Sequence, residues 1–287
     1  MTAAEQTMTC PVCGWRVLPE HSFCEGCGHR LVQPSCTACA APVDAEGYCE
    51  GCGLKQPGDR DHREAELPCG AAGVSDRGLR HRRNEDAMAL TEAAGLTVGV
   101  VCDGVSTSPR PDQAAAVAAE TGAAALVEAL SGGHDPEAAT RAAFGRALRA
   151  VAELAATVRQ APACTYLSAI AGPGRVTVGW VGDSRAYWLP DGAAPALLTV
   201  DDVAQPGVLT AWLGADAGEP TVKVRTVTPD SPGQLLICTD GLWGYFNGQV
   251  PGSGSPLQRA RELLRHALGC GGRDNITAVV IPVPSAS

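Results

Sequence analysis

Short apolar runs punctuated by Gly, Pro, Asp and Asn fill most of this chain, and their period separates strands from helices. The runs Leu96–Cys102, Thr165–Ala171, Val176–Val181, Ala186–Leu189, Val222–Thr228, Gln234–Cys238 and Thr277–Pro282 have the length and β-branched content of buried strands. Three segments carry helical spacing instead. The first, Asp112–Leu130, contains the stretch Ala114–Leu130, mostly alanine with Glu120 and Glu128 inside it, and reads as a core helix. The second opens with Asp135 as N-cap and Pro136 at the first helical position, and Phe144, Leu148, Val151, Leu154 and Val158 recur along one face. The third runs from a Ser255 cap and Pro256 to Gly269, with Leu257, Ala260, Leu264 and Leu268 aligned. Strands, two helices, more strands and a final helix make an α+β pattern.

The pattern is absent near the N-terminus, where cysteine takes over. Eight of the 13 cysteines fall in four CxxC pairs: Cys10/Cys13, Cys24/Cys27, Cys36/Cys39 and Cys49/Cys52. Each CxxC puts two thiolates on one tight turn, and a structural zinc ion needs four such ligands at tetrahedral corners. The intervening apolar residues (Trp15, Val17, Leu18 and Phe23; Val43 and Tyr48) are too few to fold either segment unaided. Zinc would supply about 10–16 kcal/mol per site. The competing reading, a disulfide framework, needs an oxidising compartment. His21 and His29 are substitute ligands that a four-cysteine set does not require. Residues 8–54 resemble a double zinc ribbon, a structural or protein-binding module with no open coordination position for catalysis. Residues 55–67, polar and charged around a Pro-Gly pair, read as an exposed linker.

Bulk properties narrow the function. A chain of 287 residues holds one catalytic domain and a small appendage. The net charge of −9 argues against a general nucleic-acid binder. No basic segment followed by an apolar run opens the chain, and no uninterrupted apolar stretch of about 18 residues occurs. The expectation is therefore a cytoplasmic protein without a membrane span.

Candidate chemistry lies in carboxylates at strand ends. Asp103-Gly104 follows one apolar strand and Asp240-Gly241 another; Asp274-Asn275 opens the last, and Asn84-Glu85-Asp86 precedes a short apolar run. Converging carboxylates form a hard-oxygen cage suited to Mg²⁺ or Mn²⁺. Each Asp-Gly alone is an ordinary turn. In order, however, the chain carries Ser75-Asp76-Arg77-Gly78, Asn84-Glu85-Asp86, Val101-Cys102-Asp103-Gly104, Gly182-Asp183-Ser184-Arg185, Leu197-Leu198-Thr199, Leu213-Gly214, Cys238-Thr239-Asp240-Gly241-Leu242 and Asp274-Asn275-Ile276-Thr277. This series resembles the metal-dependent protein serine/threonine phosphatases of type 2C over essentially all of residues 70–283, which sets the expected catalytic domain at residues 68–283.

The resemblance implies a four-layer α/β/β/α sandwich of two antiparallel sheets flanked by helices, with a centre of two Mn²⁺ or Mg²⁺ ions at one end. Asp103 would bridge both ions and Gly104 offer its carbonyl; Asp240 and Asp274 would complete one ion, and Glu85 or Asp86 would hold the other. Asp183 would tie a hairpin rather than take part in the chemistry. The implied reaction is hydrolysis of phosphoserine and phosphothreonine in proteins, opposing bacterial serine/threonine kinases, without a covalent phosphoenzyme. Four departures stand out. His81 occupies the place of a phosphate-gripping arginine, with Arg80 and Arg82 beside it, so His81 or a neighbouring arginine would bind phosphate. Val105 replaces a histidine that serves some relatives as general acid. Ala163-Cys164-Thr165 lacks the preceding acid of a third-metal site. The flap beside the site is cut to Asp201–Leu209. The five scattered cysteines (Cys69, Cys102, Cys164, Cys238 and Cys270) read most simply as buried hydrophobes; the alternative is that Cys102 and Cys238, next to the expected ligands, make the site redox-sensitive. Two other readings remain open: a pseudo-phosphatase scaffold whose ribbons bind partner proteins, and a zinc-ribbon nucleic-acid binder, which the acidic balance disfavours.

Overall fold

A computed structural model describes residues 8–10, 12–17, 27, 36, 39–43, 48–53, 61–205, 207–248 and 254–285. The chain divides into two compact units, Met1–Gly58 and Asp59–Ser287. Among its described residues, the first unit holds a short hairpin, β1 (Met8–Thr9) with β2 (Arg16–Val17), and an isolated bridge from Val43 to Cys49. Its buried apolar residues, among those described, are Cys10 and Val17 in one patch and Cys36, Val43 and Cys49 in another.

The second unit is built on two antiparallel sheets. Its strands are β3 (His62–Glu66), β4 (Ala72–Asp76), β5 (Ala87–Ala93), β6 (Leu96–Cys102), β7 (Tyr166–Gly172), β8 (Arg175–Val181), β9 (Arg185–Pro190), β10 (Ala196–Leu197), β11 (Val203–Gln205), β12 (Val208–Leu209), β13 (Lys223–Val227), β14 (Gly233–Cys238) and β15 (Ile276–Val283). Its helices are α1 (Pro111–Ser131), α2 (Pro136–Glu153), α3 (Asp240–Trp243) and α4 (Pro256–Gly269). One sheet has the order β10-β9-β14-β15-β4-β3 and the other β13-β8-β7-β6-β5.

Side-chain alternation explains the layers. Leu235 and Ile237 of β14 face inward with Val279 and Ile281 of β15, meeting Val101, Leu167, Val178 and Trp180 of the other sheet. Leu236, Cys238 and Val280 face outward and pack under Leu263 and Leu264 of α4. On the far side Val100, Cys102, Tyr166 and Val181 pack under Ala118, Leu126 and Phe144 of α1 and α2. The result is the expected helix–sheet–sheet–helix sandwich. Although α1 is long and apolar enough to cross a membrane, its Ala114, Ala118 and Leu126 face is buried against the sheet and α2.

Several expectations need correction. Residues 55–67 are not all linker, because β3 lies there, paired with β4 from His62↔Asp76 to Glu66↔Ala72. Its charged residues suit an edge strand. They are also anchored: His62 Nδ1 lies 2.7 Å from Asp76 Oδ2, and Arg261 forks onto Glu64 at 2.8 and 2.6 Å. The strands β4 and β5 have no counterpart among the expected runs. The second helix ends at Glu153, and Val158 is 64% exposed in a single 3₁₀ turn rather than on the helix face. Leu154 and Ala155 donate to Val151 and Ala152, tightening the last turn, and Arg110 Nη2 caps the Leu154 carbonyl at 2.6 Å. Asp240-Gly241, expected as a turn, opens α3.

Candidate functional site

The strand registers bring the candidate carboxylates to one end of the sandwich. Ala87 at the start of β5 pairs with Cys102 at the end of β6, and Ala278 of β15 with Cys238 at the end of β14. Asp86, Asp103, Asp240 and Asp274 leave or enter those four strand ends. Close backbone approach makes this convergence tight. A Cβ on Gly104 would stand 2.7 Å from the Glu85 and Pro111 carbonyl oxygens, and one on Gly241 would strike the Asn275 carbonyl at 1.9 Å. Glycine is the residue these two crossings permit. Asn275 adds the clamp: its Oδ1 accepts Glu85 N–H at 2.7 Å while its Nδ2 donates to the Arg77 and Arg83 carbonyls at 2.7 and 3.1 Å. Thr165 Oγ1 accepts Asp103 N–H at 2.9 Å.

Gathered carboxylates repel one another. Burial first, then the charges of Asp86, Asp240, Asp274 and Asp183, push the Asp103 carboxyl well above its usual range. Burial and the charges of Asp240 and Asp274 raise Asp86 to about 8, although hydroxyls of Thr277 and Thr239 at 2.7 and 2.8 Å pull the other way. Asp240 is raised by burial and Asp274. Asp86 Oδ1 and Asp240 Oδ1 are buried without any hydrogen-bond partner among the described residues. A buried anionic oxygen without a partner is costly, and a hard divalent cation is the partner that meets the cost for several carboxylates together.

The remaining candidates divide. His81 Nε2 stands 3.2 Å from Asp274 Oδ1, at the edge of the cluster. Arg80 and Arg82 are exposed and make no ion pair among the described residues. Glu85 turns aside, its Oε2 accepting from Ser106 Oγ at 2.7 Å with Arg83 Nε 3.9 Å from its Oε1. Asp183 belongs to a clamp. Trp243 Nε1 donates to its carbonyl at 2.8 Å, Arg185 lies 3.6 Å over the Trp243 ring, and Arg185 grips Asp201 at 2.7 Å. Burial and Asp240 still raise the Asp183 carboxyl to about 6. Within the Asp201–Leu209 segment, β11 pairs with β12 as a short antiparallel ladder. Cys102 and Cys238 are fully buried, and burial raises both thiols, so neither is a reactive thiolate. Two residues missed in the sequence, Thr239 and Thr277, touch Asp86; their place inside the Thr-Asp-Gly and Asn-Ile-Thr strings was the available signal.

In the N-terminal unit the Sγ atoms of Cys36, Cys39, Cys49 and Cys52 lie within 4.8 Å of one another, as do those of Cys10, Cys13 and Cys27. Backbone N–H groups of Gly51 and Cys52 both donate to Cys49 Sγ at 3.3 Å, and with burial opposing them they lower that thiol to about 6. Cys24, His21 and His29 lie outside the described residues.

No curated protein matches the chain. The solved PPM serine/threonine phosphatase MsPP from Mycobacterium smegmatis, in complex with cacodylate, is 26% identical, with a TM-score of 0.61 over 76% of this chain and 100% of that one. Stp1 from Staphylococcus aureus, a serine/threonine phosphatase, is 18% identical, with a TM-score of 0.64 over 78% of this chain and 98% of that one. The catalytic domain of the phosphatase PstP, solved with two manganese ions, is 23% identical, with a TM-score of 0.55 over 77% and 98%. The sequence profile of protein phosphatase 2C matches residues 77–268, more than half of the chain, including Asp86, Asp103 and Asp240 but not Asp274. With that match and the gathered carboxylates, the chain belongs to the protein phosphatase 2C family of metal-dependent serine/threonine phosphatases.

Proposed function

We propose that this chain hydrolyses phosphoserine and phosphothreonine esters of proteins at a centre of two Mn²⁺ or Mg²⁺ ions, opposing serine/threonine kinases in a bacterial cytoplasm. The observation that carries the reading is the pair of buried, partnerless oxygens, Asp86 Oδ1 and Asp240 Oδ1, inside a group of mutually repelling carboxylates. Asp103 with the Gly104 carbonyl, Asp86, Asp240 and Asp274 would hold the ions. Bound there, the cations offset the charge of the phosphoryl group and lower the pKa of an attacking water. The protein residues do the rest. Asn275 and the glycine crossings fix the carboxylates, and His81, 3.2 Å from Asp274, would meet an entering phosphoryl oxygen. Arg80 and Arg82 add positive charge to the rim. Val105 offers no proton, so no side chain at that position protonates the leaving group.

The thiol groups are read as two structural zinc sites, the second from Cys36, Cys39, Cys49 and Cys52 and the first from Cys10, Cys13 and Cys27 with Cys24. With no long flap over the catalytic centre, the ribbons would recruit phosphoprotein substrates or partners. Deleting residues 1–54 should then depress turnover of a phosphoprotein and spare a small aryl phosphate. The decisive assay is hydrolysis of a phosphothreonine peptide with and without Mn²⁺, in the wild type and Asp240→Asn. No Mn²⁺-dependent turnover would favour the scaffold reading, which His81 in the arginine position keeps open.

A further inference from the structure

Around Asp86 the hydrogen-bond donors run in one direction. Asp86 precedes β5 and is 9% exposed. Its Oδ2 accepts from Thr277 Oγ1 at 2.7 Å and from Thr239 Oγ1 at 2.8 Å. A hydroxyl has a single hydrogen. Thr277, having given its hydrogen to Asp86, must receive from Ser75 Oγ, 2.8 Å away. Ser75 must in turn receive, and Asn84 Nδ2 donates to it at 2.9 Å. That orientation of the Asn84 amide aims its Oδ1 at the backbone, where it accepts Asp86 N–H at 3.2 Å. Thr239 likewise gives its hydrogen to Asp86 and accepts Thr277 N–H at 3.0 Å. The circuit closes on Asp86 through both its carboxylate and its peptide group. Thr239 and Thr277 are fully buried, and Ser75 and Asn84 nearly so, so no bulk water competes.

Read in this direction, the circuit serves one oxygen of the Asp86 side chain. Both hydroxyl donors converge on Oδ2, and Oδ1 is left buried and without a partner. The participants come from four segments: β4, the loop before β5, the end of β14, and β15. Rotation of the Asp86 side chain would break two hydrogen bonds at once. From this we infer that Thr277 and Thr239 are positioning residues, which hold the Asp86 side chain with Oδ1 turned to a divalent cation, while Ser75 and Asn84 fix the polarity of the chain. The inference rests on the reading of Asp86 as a cation ligand.

A network that merely fastened the sheets together would change stability and leave cation affinity alone. The test is therefore calorimetric titration of Mn²⁺ into the full chain, wild type, Thr277→Val, Thr239→Val and Thr277→Ser, with the Mn²⁺-free melting temperature of each. Partners that orient ligands typically govern about 10–100-fold in metal affinity. Weakening of that size at one Mn²⁺ site is expected in Thr277→Val, with recovery in Thr277→Ser. A Thr277→Val protein that melts lower yet binds Mn²⁺ as the wild type does overturns the inference. Should Thr277→Val not fold, Thr239→Val carries the same two outcomes. Wild-type protein that takes up no Mn²⁺ overturns instead the reading of Asp86 as a ligand, and the two failures are distinct.

Discussion

Among its described residues, the N-terminal unit has two small buried patches, Cys10 with Val17 and Cys36 with Val43 and Cys49, and in both the cysteines are themselves part of what is buried. The C-terminal unit has three extended apolar layers between and outside its sheets, and its candidate ligands stand at the margin of that packing. In the first, ligands and core coincide, so a metal ion would make the fold. In the second, the core is complete without the carboxylates, so the fold makes the metal site and absorbs the repulsion of assembling it.

This contrast can be broken at four points, in order of expected effect. A strong zinc chelator should unfold the N-terminal unit outright, since about 10–16 kcal/mol per site is withdrawn, while the amide dispersion of the C-terminal unit in NMR persists. Loss of both units together would end the distinction. Next, Asp240→Asn should lower Mn²⁺-dependent hydrolysis of p-nitrophenyl phosphate by about 10³-fold, the equivalent of several kcal/mol of cation-derived stabilisation, with the melting temperature preserved or raised. Third, Leu236→Ala, at a fully buried position under α4, should cost about 2–5 kcal/mol in urea unfolding of the C-terminal unit and leave a zinc-loaded N-terminal unit untouched.

The smallest effect is one of pH. Asp86 is raised to about 8 and Asp183 to about 6 in the folded chain, chiefly by burial, whereas unfolded aspartate titrates near about 4. Between those values the folded state binds more protons than the unfolded one, so stability falls as pH rises. The Mn²⁺-free protein should melt several degrees higher near about pH 5 than near about pH 8, and Mn²⁺ should flatten that slope. A melting temperature that climbs with pH in the absence of Mn²⁺ would contradict the description of the cluster.

What could be read from the chain in advance follows the same division of labour. Runs buried on both faces, such as β6, β7, β14 and β15, announce themselves by unbroken apolar composition. The strand β5, Ala-Met-Ala-Leu-Thr-Glu-Ala, is written in helix-forming residues and is a strand only because β6 pairs with it. The strand β3, His-Arg-Glu-Ala-Glu, looks like solvent-exposed linker because an edge strand outside the core needs no apolar face. Leu154 and Val158 continue a helical period that the backbone abandons at Glu153, where Arg110 from another part of the chain caps the Leu154 carbonyl. At the site, Asp103, Asp240 and Asp274 were visible as acids at strand ends. The partnerless oxygen of Asp86, the aversion of Glu85 toward Ser106 and the threonine donors are relations between distant segments, and no local pattern encodes them.

The placement of β15 bears on how the protein is made. It comes after every other described strand in sequence yet sits in the middle of its sheet, between β14 and β4. Until the ribosome has released residues 276–283, β4 lacks its inner neighbour and Asp86 lacks Thr277. A nascent chain therefore cannot display a finished catalytic centre, and any phosphatase activity begins only when translation of this strand is over.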